Sequence, residues 1–489
     1  MKKILTSLCL FLLGFCLPPS FSQTQLGTDL DGEATLDRLG SSVVLSADGN
    51  RLAAGAPGND AAGDRAGHVR VYEWLNDAWM QFGADIDGEA ALDNSGYSVS
   101  LSSNGNRVAI GAPGNDGNGN LAGHVRVYEW MNGAWIQLGA DIEGKAADDQ
   151  AGVSVSLSAD GNRVAIGAPF TYDFGAGHPA GKARVYEWMN GAWTQLGADI
   201  EGEQLDDEFG WSISLSADGN RVAVGAPTGT GYVRMYEWMN NSWTQLGAVI
   251  DGEGLEDGFG GSVSLSSDGN RVAIGAPGND GNGNLAGHVR VYEWTNGAWT
   301  QLGTDLDGEA AENYSGRRVS LSANGNRVAI GAPGNSGNGT NAGTVKVFEW
   351  KNEGWTQVDA NIDGEAPSDE SDGVSMSANG NLVAIGAAFN DGNGSLSGHV
   401  RVFQLTPYIS AVNSVGDLRF EIFPNPTNGH VYLTGLRAET IKVFDGIGRL
   451  ILQQNAEEQR IDLSNFPQGI YFLQVGLDGQ FFSKTIIKE

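Results

Sequence analysis

The chain has 489 residues, a formal net charge of −30 and 18% charged residues. The chain has 29 Lys and Arg against 59 Asp and Glu. Nucleic acids and anionic membrane surfaces are bound through many cationic side chains, so this balance argues against either as a partner. A hydrophobic content of 40% with 13 Trp argues against a disordered chain.

The first 22 residues (1–22) are predicted to be a secretory signal peptide. Two lysines precede a short apolar core, Ile4 to Leu17, and small residues lead to a predicted cut before Gln23. Both cysteines, Cys9 and Cys16, lie in this segment, and the bulky Phe15 argues against a lipoprotein site. The mature protein is therefore expected to have no disulfides, no thiol chemistry and no transmembrane segment.

Residues 23–405 contain seven varied copies of the string Gly-Asn-Arg-Val-Ala-Ile-Gly-Ala-Pro, spaced 50 to 58 residues apart. In the second copy, alternating or β-branched runs at 98–102, 107–110, 124–130 and 135–138 are separated by turn residues. Each copy is thus predicted to be a four-stranded unit, and seven such units predict an all-β, seven-bladed β-propeller. The Arg of the string, replaced by Leu382 in the seventh copy, stands at Arg51, Arg107, Arg163, Arg221, Arg271 and Arg327.

The seventh repeat stops at Leu405, before its fourth strand. Residues 24–30 are identical to residues 300–306, which occupy a fourth-strand position. An N-terminal strand is therefore expected to complete the last blade and close the ring, which removes its exposed edges. Six Trp pairs flank the other hairpins, and we interpret them as packing rather than as a sugar-binding surface.

The repeats resemble FG-GAP repeats, which build the seven-bladed propeller of integrin α-chains and related bacterial surface proteins. The Gly-Ala-Pro half occurs six times, whereas Phe209-Gly210 and Phe259-Gly260 carry the Phe-Gly half and Asp372-Gly373 is expected to replace it in the seventh repeat. The resemblance implies calcium in a loop between the first two strands of some blades. Here that connection is a tight turn with too few oxygen ligands, so those sites are not carried over.

After a predicted linker at 406–418, residues 419–489 show short alternating strands that predict a small Ig-like β-sandwich. They resemble the type A sorting domain of the type IX secretion system. This resemblance implies recognition by the type IX machinery, export across the outer membrane, removal of the domain, and release or attachment at the cell surface. The matching positions are Pro424, Asn425, Pro426, Gly429, Gly469 and Tyr471.

Acidic residues recur in the connections between blades, next to Asn/Asp/Gly loops that a meander places on the same face. Two interpretations stay open: a ring of calcium or other cation sites, or solvated turns whose charge favours solubility. Copies in every repeat argue against one tuned catalytic pair. The candidate metal ligands are Asp29, Asp31, Glu33, Asp85, Asp87, Glu89, Asp305, Asp307 and Glu309.

Departures from the repeat indicate a candidate ligand site at repeats three and four. Phe170, Tyr172 and Phe174 replace a Gly/Asn loop, Trp211 follows a Phe-Gly pair, and the next loop shortens to 228–231. A notch with aromatic walls suits a sugar or a peptide anchor. The alternative is that these departures are sequence drift accompanied by local repacking.

We expect a secreted or surface-attached, non-catalytic binding protein whose propeller face holds a glycan or a protein. Two alternatives stay open: a polysaccharide-acting enzyme on a propeller scaffold, and a structural surface-layer protein. Ligand identity, calcium binding, final attachment and oligomeric state are not determined by these patterns.

Overall fold

The computed structural model describes residues 23–173, 178–203, 206–406, 421–434, 440–444, 450–455, 460–477 and 480–488. The predicted signal peptide and linker residues 407–418 lie outside the described residues. The chain divides into two compact units at residue 408. In the described part of the chain, no helix is long and apolar enough to cross a membrane.

The described part of the first unit contains seven antiparallel blade sheets, one for each repeat, and a two-stranded hairpin of Tyr172–Asp173 with His178–Pro179. The first strands are Ser42–Leu45, Ser98–Leu101, Ser154–Leu157, Ser212–Leu215, Ser262–Leu265, Arg318–Leu321 and Gly373–Met376. The second strands are Arg51–Ala56, Arg107–Ala112, Arg163–Ala168, Arg221–Ala226, Arg271–Ala276, Arg327–Ala332 and Leu382–Ala387. The third strands are His68–Leu75, His124–Met131, Lys182–Met189, Tyr232–Met239, His288–Thr295, Thr344–Lys351 and His399–Gln404.

The fourth strands of blades one to six are Ala78–Gln81, Ala134–Gln137, Ala192–Gln195, Ser242–Gln245, Ala298–Gln301 and Gly354–Asp363. A short fifth strand, which the sequence patterns did not indicate, then pairs with the third strand; in blade six it is continuous with the fourth. These short strands are Ile86–Asp87, Ile142–Glu143, Ile200–Glu201, Ile250–Asp251 and Leu306–Asp307.

The seven sheets form a closed ring. First strands of consecutive blades contact one another, and the first strand of blade seven contacts that of blade one. The turns after the first strands also form a ring of backbone hydrogen bonds, each turn donating to the turn of the next blade. The donors are Ala47, Ser103, Ala159, Ala217, Ser267, Ala323 and Ala378, the last of which returns to Ala47 O. The predicted seven-bladed propeller is therefore confirmed.

The N-terminal segment completes blade seven as expected. Strand Thr24–Gln25 pairs with Gln404 and Phe403, and strand Leu30–Asp31 pairs with Val400 and His399. Between them, Leu26 N donates to Val402 O at 2.7 Å. The first and last parts of the propeller thus share one sheet, which leaves no open edge at the ring closure.

The two halves of the repeat motif meet between adjacent blades. A Cβ on Gly55, in the Gly-Ala-Pro of blade one, would lie 2.0 Å from Gly96 O of blade two, so this backbone approach requires glycine. In blade seven, Asp372 N donates to Gly386 O, as Gly40 N does to Gly55 O. The Phe-Gly counterpart there is therefore Ser371-Asp372 and not the expected Asp372-Gly373, because one residue before the first strand is deleted.

The C-terminal unit contains two sheets around a shared core that includes Val431, Ile461, Val443 and Leu473. This arrangement agrees with the predicted β-sandwich. One sheet has three strands, Glu421–Phe423, His430–Thr434 and Arg460–Asp462. The other has four, Leu450–Asn455, Thr440–Phe444, Gly469–Leu477 and Gln480–Lys488.

Candidate functional site

The connections between second and third strands and the connections between blades lie at the same end of the propeller, which we call the loop face. Backbone hydrogen bonds join the two sets: Gly58 N donates to Asp37 O, and Gly114 N donates to Asp93 O, both at 3.1 Å. The meander topology predicted this arrangement. The loop face also contains the open ends of the two cavities described next.

The axial cavity, of about 490 Å³, is lined by the beginnings of all seven first strands. Trp211, Tyr97 and Arg317 stand directly before their strands, and Glu208 comes from the preceding connection. Burial raises the pKa of the Glu208 carboxyl, and the charges of Asp207 and Asp206 add to this, against a hydrogen bond from Thr228. The cavity thus combines aromatic, cationic and serine hydroxyl groups, which suits a polar ligand.

The rim cleft, of about 690 Å³, adjoins the axial cavity, and both are lined by Tyr97, Arg317 and Arg318. Arg38 and Arg65 also line it, and all four arginines are exposed. The Arg38 guanidinium lies 5.7 Å from the centre of the Phe389 ring, and Arg317 Nε lies 3.5 Å from Asp372 Oδ2. The rim cleft thus combines four arginines with four carboxylates, Asp60, Asp64, Glu370 and Asp372.

The structure brings together two of the four residues predicted for the aromatic notch. Phe170 and Trp211 are half-buried and make an edge-to-face contact, with ring centroids 6.2 Å apart. Tyr172 belongs to a short hairpin and pairs with Pro179, but its side chain and the whole of Phe174 lie outside the described residues. The notch therefore stays a prediction, now located at the mouth of the axial cavity.

The six Trp pairs lie away from both cavities, at the outer hairpins. Their ring centroids are 5.3 to 5.4 Å apart. In five blades the second Trp also donates its indole N–H to a carbonyl of the preceding blade, as Trp135 does to Phe82 O at 2.9 Å. These contacts agree with the packing interpretation.

The acidic connections are bridged by basic side chains from the third strands. Arg70 contacts Glu33 and, at 2.9 Å, Asp85, so it joins the connections on both sides of blade one. Arg126 lies 3.3 Å from Glu89, Arg290 lies 2.8 Å from Asp305, and Lys346 lies 2.5 Å from Glu309. Asp31, Asp87 and Asp307 are exposed, and Gln25 donates to Asp29 at 2.6 Å. Whether calcium binds any of these residues stays a prediction.

Four of these connections also meet a buried histidine at the start of a third strand. Each group combines one imidazole nitrogen with two carboxylate oxygens, all within 4.8 Å of one another. Burial and the charge of the nearby arginine lower the pKa of all four imidazoles. The groups are Glu33/His68/Asp85, Glu89/His124/Asp141, Glu253/His288/Asp305 and Asp29/Glu365/His399.

Sequence reasoning did not include these four histidines among the candidate site residues. The carboxylates of one group come from two connections about one repeat apart, so no short spacing reveals them. It also missed Arg38, Arg65 and Arg318 as cavity residues. Comparison of every basic position across the repeats would have found them, since Arg318 replaces a serine found in the first five repeats.

The sorting-motif positions have structural roles in the C-terminal unit. Ile487 N donates to Asn425 Oδ1 at 2.8 Å, which joins the Pro424-Asn425-Pro426 turn to the last strand. Gly429 O accepts from Leu463 N at 2.6 Å. Gly469 begins a strand, and Tyr471 is buried in the core with its hydroxyl donating to Pro467 O at 2.6 Å.

Comparison with known proteins identifies the C-terminal unit. Residues 421–489 match the family model of the secretion system C-terminal sorting domain. No curated protein matches the chain.

Among solved structures, the chain is similar to two candidate 6-phosphogluconolactonases. One is from Bacteroides uniformis ATCC 8492, with 12% identity and a TM-score of 0.48. The other is from Bacteroides fragilis NCTC 9343, with 13% identity and a TM-score of 0.44. Each alignment covers 67% of this chain and 86% of the other.

Such a sorting domain is a substrate of the type IX machinery, which carries its cargo across the outer membrane. Residues 421–489 therefore direct this protein through the type IX secretion system to the cell surface or into the medium.

Proposed function

We propose that the exported propeller is a non-catalytic binding protein for an anionic polysaccharide, one that carries carboxylate or sulfate groups, and that the ligand occupies the axial cavity and rim cleft. The distribution of basic residues carries this proposal. Residues 23–406 contain 20 Lys and Arg. Sixteen of them form ion pairs with carboxylates of the repeat scaffold.

The remaining four, Arg38, Arg65, Arg317 and Arg318, line the rim cleft together. Within the described residues, the only ion pair of these four is the 3.5 Å contact of Arg317 with Asp372. Arginine donates paired hydrogen bonds that match carboxylate and sulfate oxygens. Asp60, Asp64, Glu370 and Asp372 line the same cleft, so its charges are balanced, and an anion meets less repulsion there than on the rest of the acidic propeller.

Aromatic side chains beside the arginines favour a sugar over a simple inorganic anion. Tyr97 is 41% exposed in the axial cavity, Trp211 is half-buried there, and Phe389 lies on the rim. Sugar rings present C–H faces that stack on aromatic rings while their hydroxyl and carboxylate groups face polar side chains. Two adjoining cavities also offer space for several sugar units.

The carboxylate content of the axial cavity, taken alone, supports binding without hydrolysis, whereas the adjoining rim cleft is also lined by Asp60, Asp64, Glu370 and Asp372. Glu208 is the one acidic side chain among the described residues that line the axial cavity. Most glycosidases need two carboxyl groups about 5 to 9.5 Å apart. A raised pKa at Glu208 is the observation that would favour the enzyme alternative, because a general acid must stay protonated.

The test is calorimetric titration of the purified protein with a uronic acid oligosaccharide and with a neutral oligosaccharide of equal length. Arg317→Ser combined with Arg318→Ser installs residues that other repeats carry at these positions. We expect affinity for the acidic sugar to fall at least about tenfold, since two charge-assisted contacts are lost. Binding should also weaken as salt is added.

The matched control is Lys145→Ser combined with Lys351→Ser, which removes the same charge at positions that line neither cavity. Equal affinity in the arginine double variant and the control would refute the proposal. Arginine-dependent binding of an acidic peptide but of no acidic sugar would replace the polysaccharide with a protein ligand. Cleavage of the sugar, abolished by Glu208→Gln, would replace binding with catalysis.

A further inference from the structure

The group of potential ligands around blade two differs from its three counterparts in its histidine, which is the one with both ring nitrogens unpartnered among the described residues. Glu89 comes from the connection before the blade, His124 begins its third strand, and Asp141 lies in the connection after it. Their ligand atoms lie within 4.8 Å of one another. Three segments that are separate in sequence therefore direct one nitrogen and two oxygens to a common point.

His124 has no hydrogen-bond partner at either ring nitrogen among the described residues, although its side chain is only 1% exposed. Its Nδ1 lies 3.8 Å from Asp141 Oδ2, which is too long for a hydrogen bond. Buried polar groups without partners are rare because they lose water and gain nothing in return.

The group around His124 has fewer cation contacts than those of blades one and five, and the blade-seven group shares this feature, since Arg401 lies 3.4 Å from Glu365 while Gln25 donates to Asp29. In blade one, Arg70 contacts both carboxylates of its group, and Arg290 does the same in blade five. In blade two, Arg126 lies near Glu89 alone, at 3.3 Å, whereas the hydrogen bond described for Asp141 comes from Gln137, at 2.6 Å.

Glu143, which pairs with His124 across the sheet, strengthens this contrast. Its Oε2 is buried without a hydrogen-bond donor among the described residues. Several carboxylates and an unpartnered imidazole around one point are typical of a cation site.

We propose that Glu89, His124 and Asp141 bind a divalent transition metal ion of the zinc type. Zinc takes imidazole nitrogen and carboxylate oxygen at about 2.0 to 2.2 Å, which places two ligands of a tetrahedral ion about 3.3 Å apart. The 3.8 Å between Nδ1 and Oδ2 therefore needs to shorten by about half an ångström. Calcium is disfavoured, since it takes six to eight oxygens.

A metal at this point would join the connections on both sides of blade two, and the inference does not depend on the proposed polysaccharide. The test is titration of the EDTA-treated, untagged protein with ZnCl₂, followed by calorimetry and native mass spectrometry. A background variant with His68, His288 and His399 changed to Thr isolates the blade-two group. Thr is suitable because Thr344 occupies the equivalent position in blade six.

We expect the background variant to bind one zinc ion and His124→Thr to weaken that binding at least about tenfold, because even second-shell partners contribute about that much. Bound Co²⁺ should show visible absorption that is lost with the same substitution. The matched control is Glu203→Gln, in blade four, where Tyr232 takes the place of histidine; zinc affinity should not change.

Circular dichroism checks that each variant is folded. If His124→Thr unfolds the protein, zinc affinity is measured in Asp141→Asn instead, because Asp141 lies in a partly exposed connection. Zinc binding that is unchanged by either substitution, or the absence of binding at millimolar zinc, would overturn the proposal.

Discussion

Arg327 links blades six and seven through a buried guanidinium that is 1% exposed. Its Nε and Nη2 donate to Glu349 Oε2 at 2.9 and 2.6 Å, and its Nη1 donates to Gly380 O at 2.9 Å in the turn of blade seven. The five other arginines at this repeat position make equivalent contacts across their own seams; the side chain of Arg51, for example, is 16% exposed. In blade seven Leu382 stands there and pairs with Gln404.

Replacement of Arg327 by Leu should destabilise the protein by about 3 to 5 kcal/mol, because it leaves the buried Glu349 carboxylate with only the exposed Lys351 ammonium, 3.7 Å away. Arg327→Leu combined with Glu349→Gln reproduces the natural Leu382/Gln404 pair. This double variant should lose only about 1 to 2 kcal/mol, since the buried charge is gone and mainly the hydrogen bonds to the next blade are missing.

Urea unfolding, followed by Trp fluorescence, measures the free energy of unfolding of both variants, and thermal unfolding measures their Tm. With an unfolding entropy of about 2.1 cal/mol/K per residue over roughly 380 residues, the single variant should lower the Tm by about 4 to 6 °C. Arg51→Leu is the control at a more exposed site and should cost less. A loss below about 1 kcal/mol for Arg327→Leu, or a double variant no more stable than the single one, would refute the reasoning.

Two further predictions concern pH and the blade seams. Four buried histidines have pKa values lowered below the usual 6.5, so the unfolded chain binds more protons than the folded one below about pH 6.5. The stability that these groups contribute is complete above that pH and declines as the pH falls below it. The Tm measured between about pH 7.5 and 5 should therefore fall, and the fall should be smaller in His124→Thr. A flat profile would contradict this. Gly303 and Gly297 have nearly the same backbone conformation, with φ of +80° and +82°. A Cβ at Gly303 would lie 2.7 Å from the Trp350 ring, whereas a Cβ at Gly297 would have no neighbour within 4 Å. Gly303→Ala should therefore cost about 2 to 4 kcal/mol and Gly297→Ala about 1 to 2; equal losses in urea unfolding would show that backbone strain alone matters.

Much of the fold is predictable because the same local sequence patterns recur in all seven repeats. Alternation in the first strand, the Asn-Gly hairpins and the truncated seventh repeat together determine blade number and ring closure. The Phe-Gly counterpart of the seventh repeat was predicted one residue too late, at Asp372-Gly373, because glycine there resembles the motif glycine and only the hydrogen bond of Asp372 to Gly386 distinguishes them.

The candidate sites, in contrast to the fold, were not predictable from local patterns. Acidic connections and aromatic substitutions are visible along the chain, but their partners come from other repeats. Glu89 and Asp141 are 52 positions apart and meet because the connections on both sides of blade two approach the start of its third strand. The cluster that contains Arg38 and Arg317 exists because ring closure places blades six, seven and one next to one another.

The sequence by itself determined the all-β class, the seven blades, the closing strand and the export domain, since each depends on local periodicity or on a contiguous motif. The tertiary structure alone decided which charges are paired within the scaffold, which arginines remain for a ligand, and which histidine lies unpartnered among carboxylates. Those properties depend on distances between separate blades, and a linear pattern does not encode them directly.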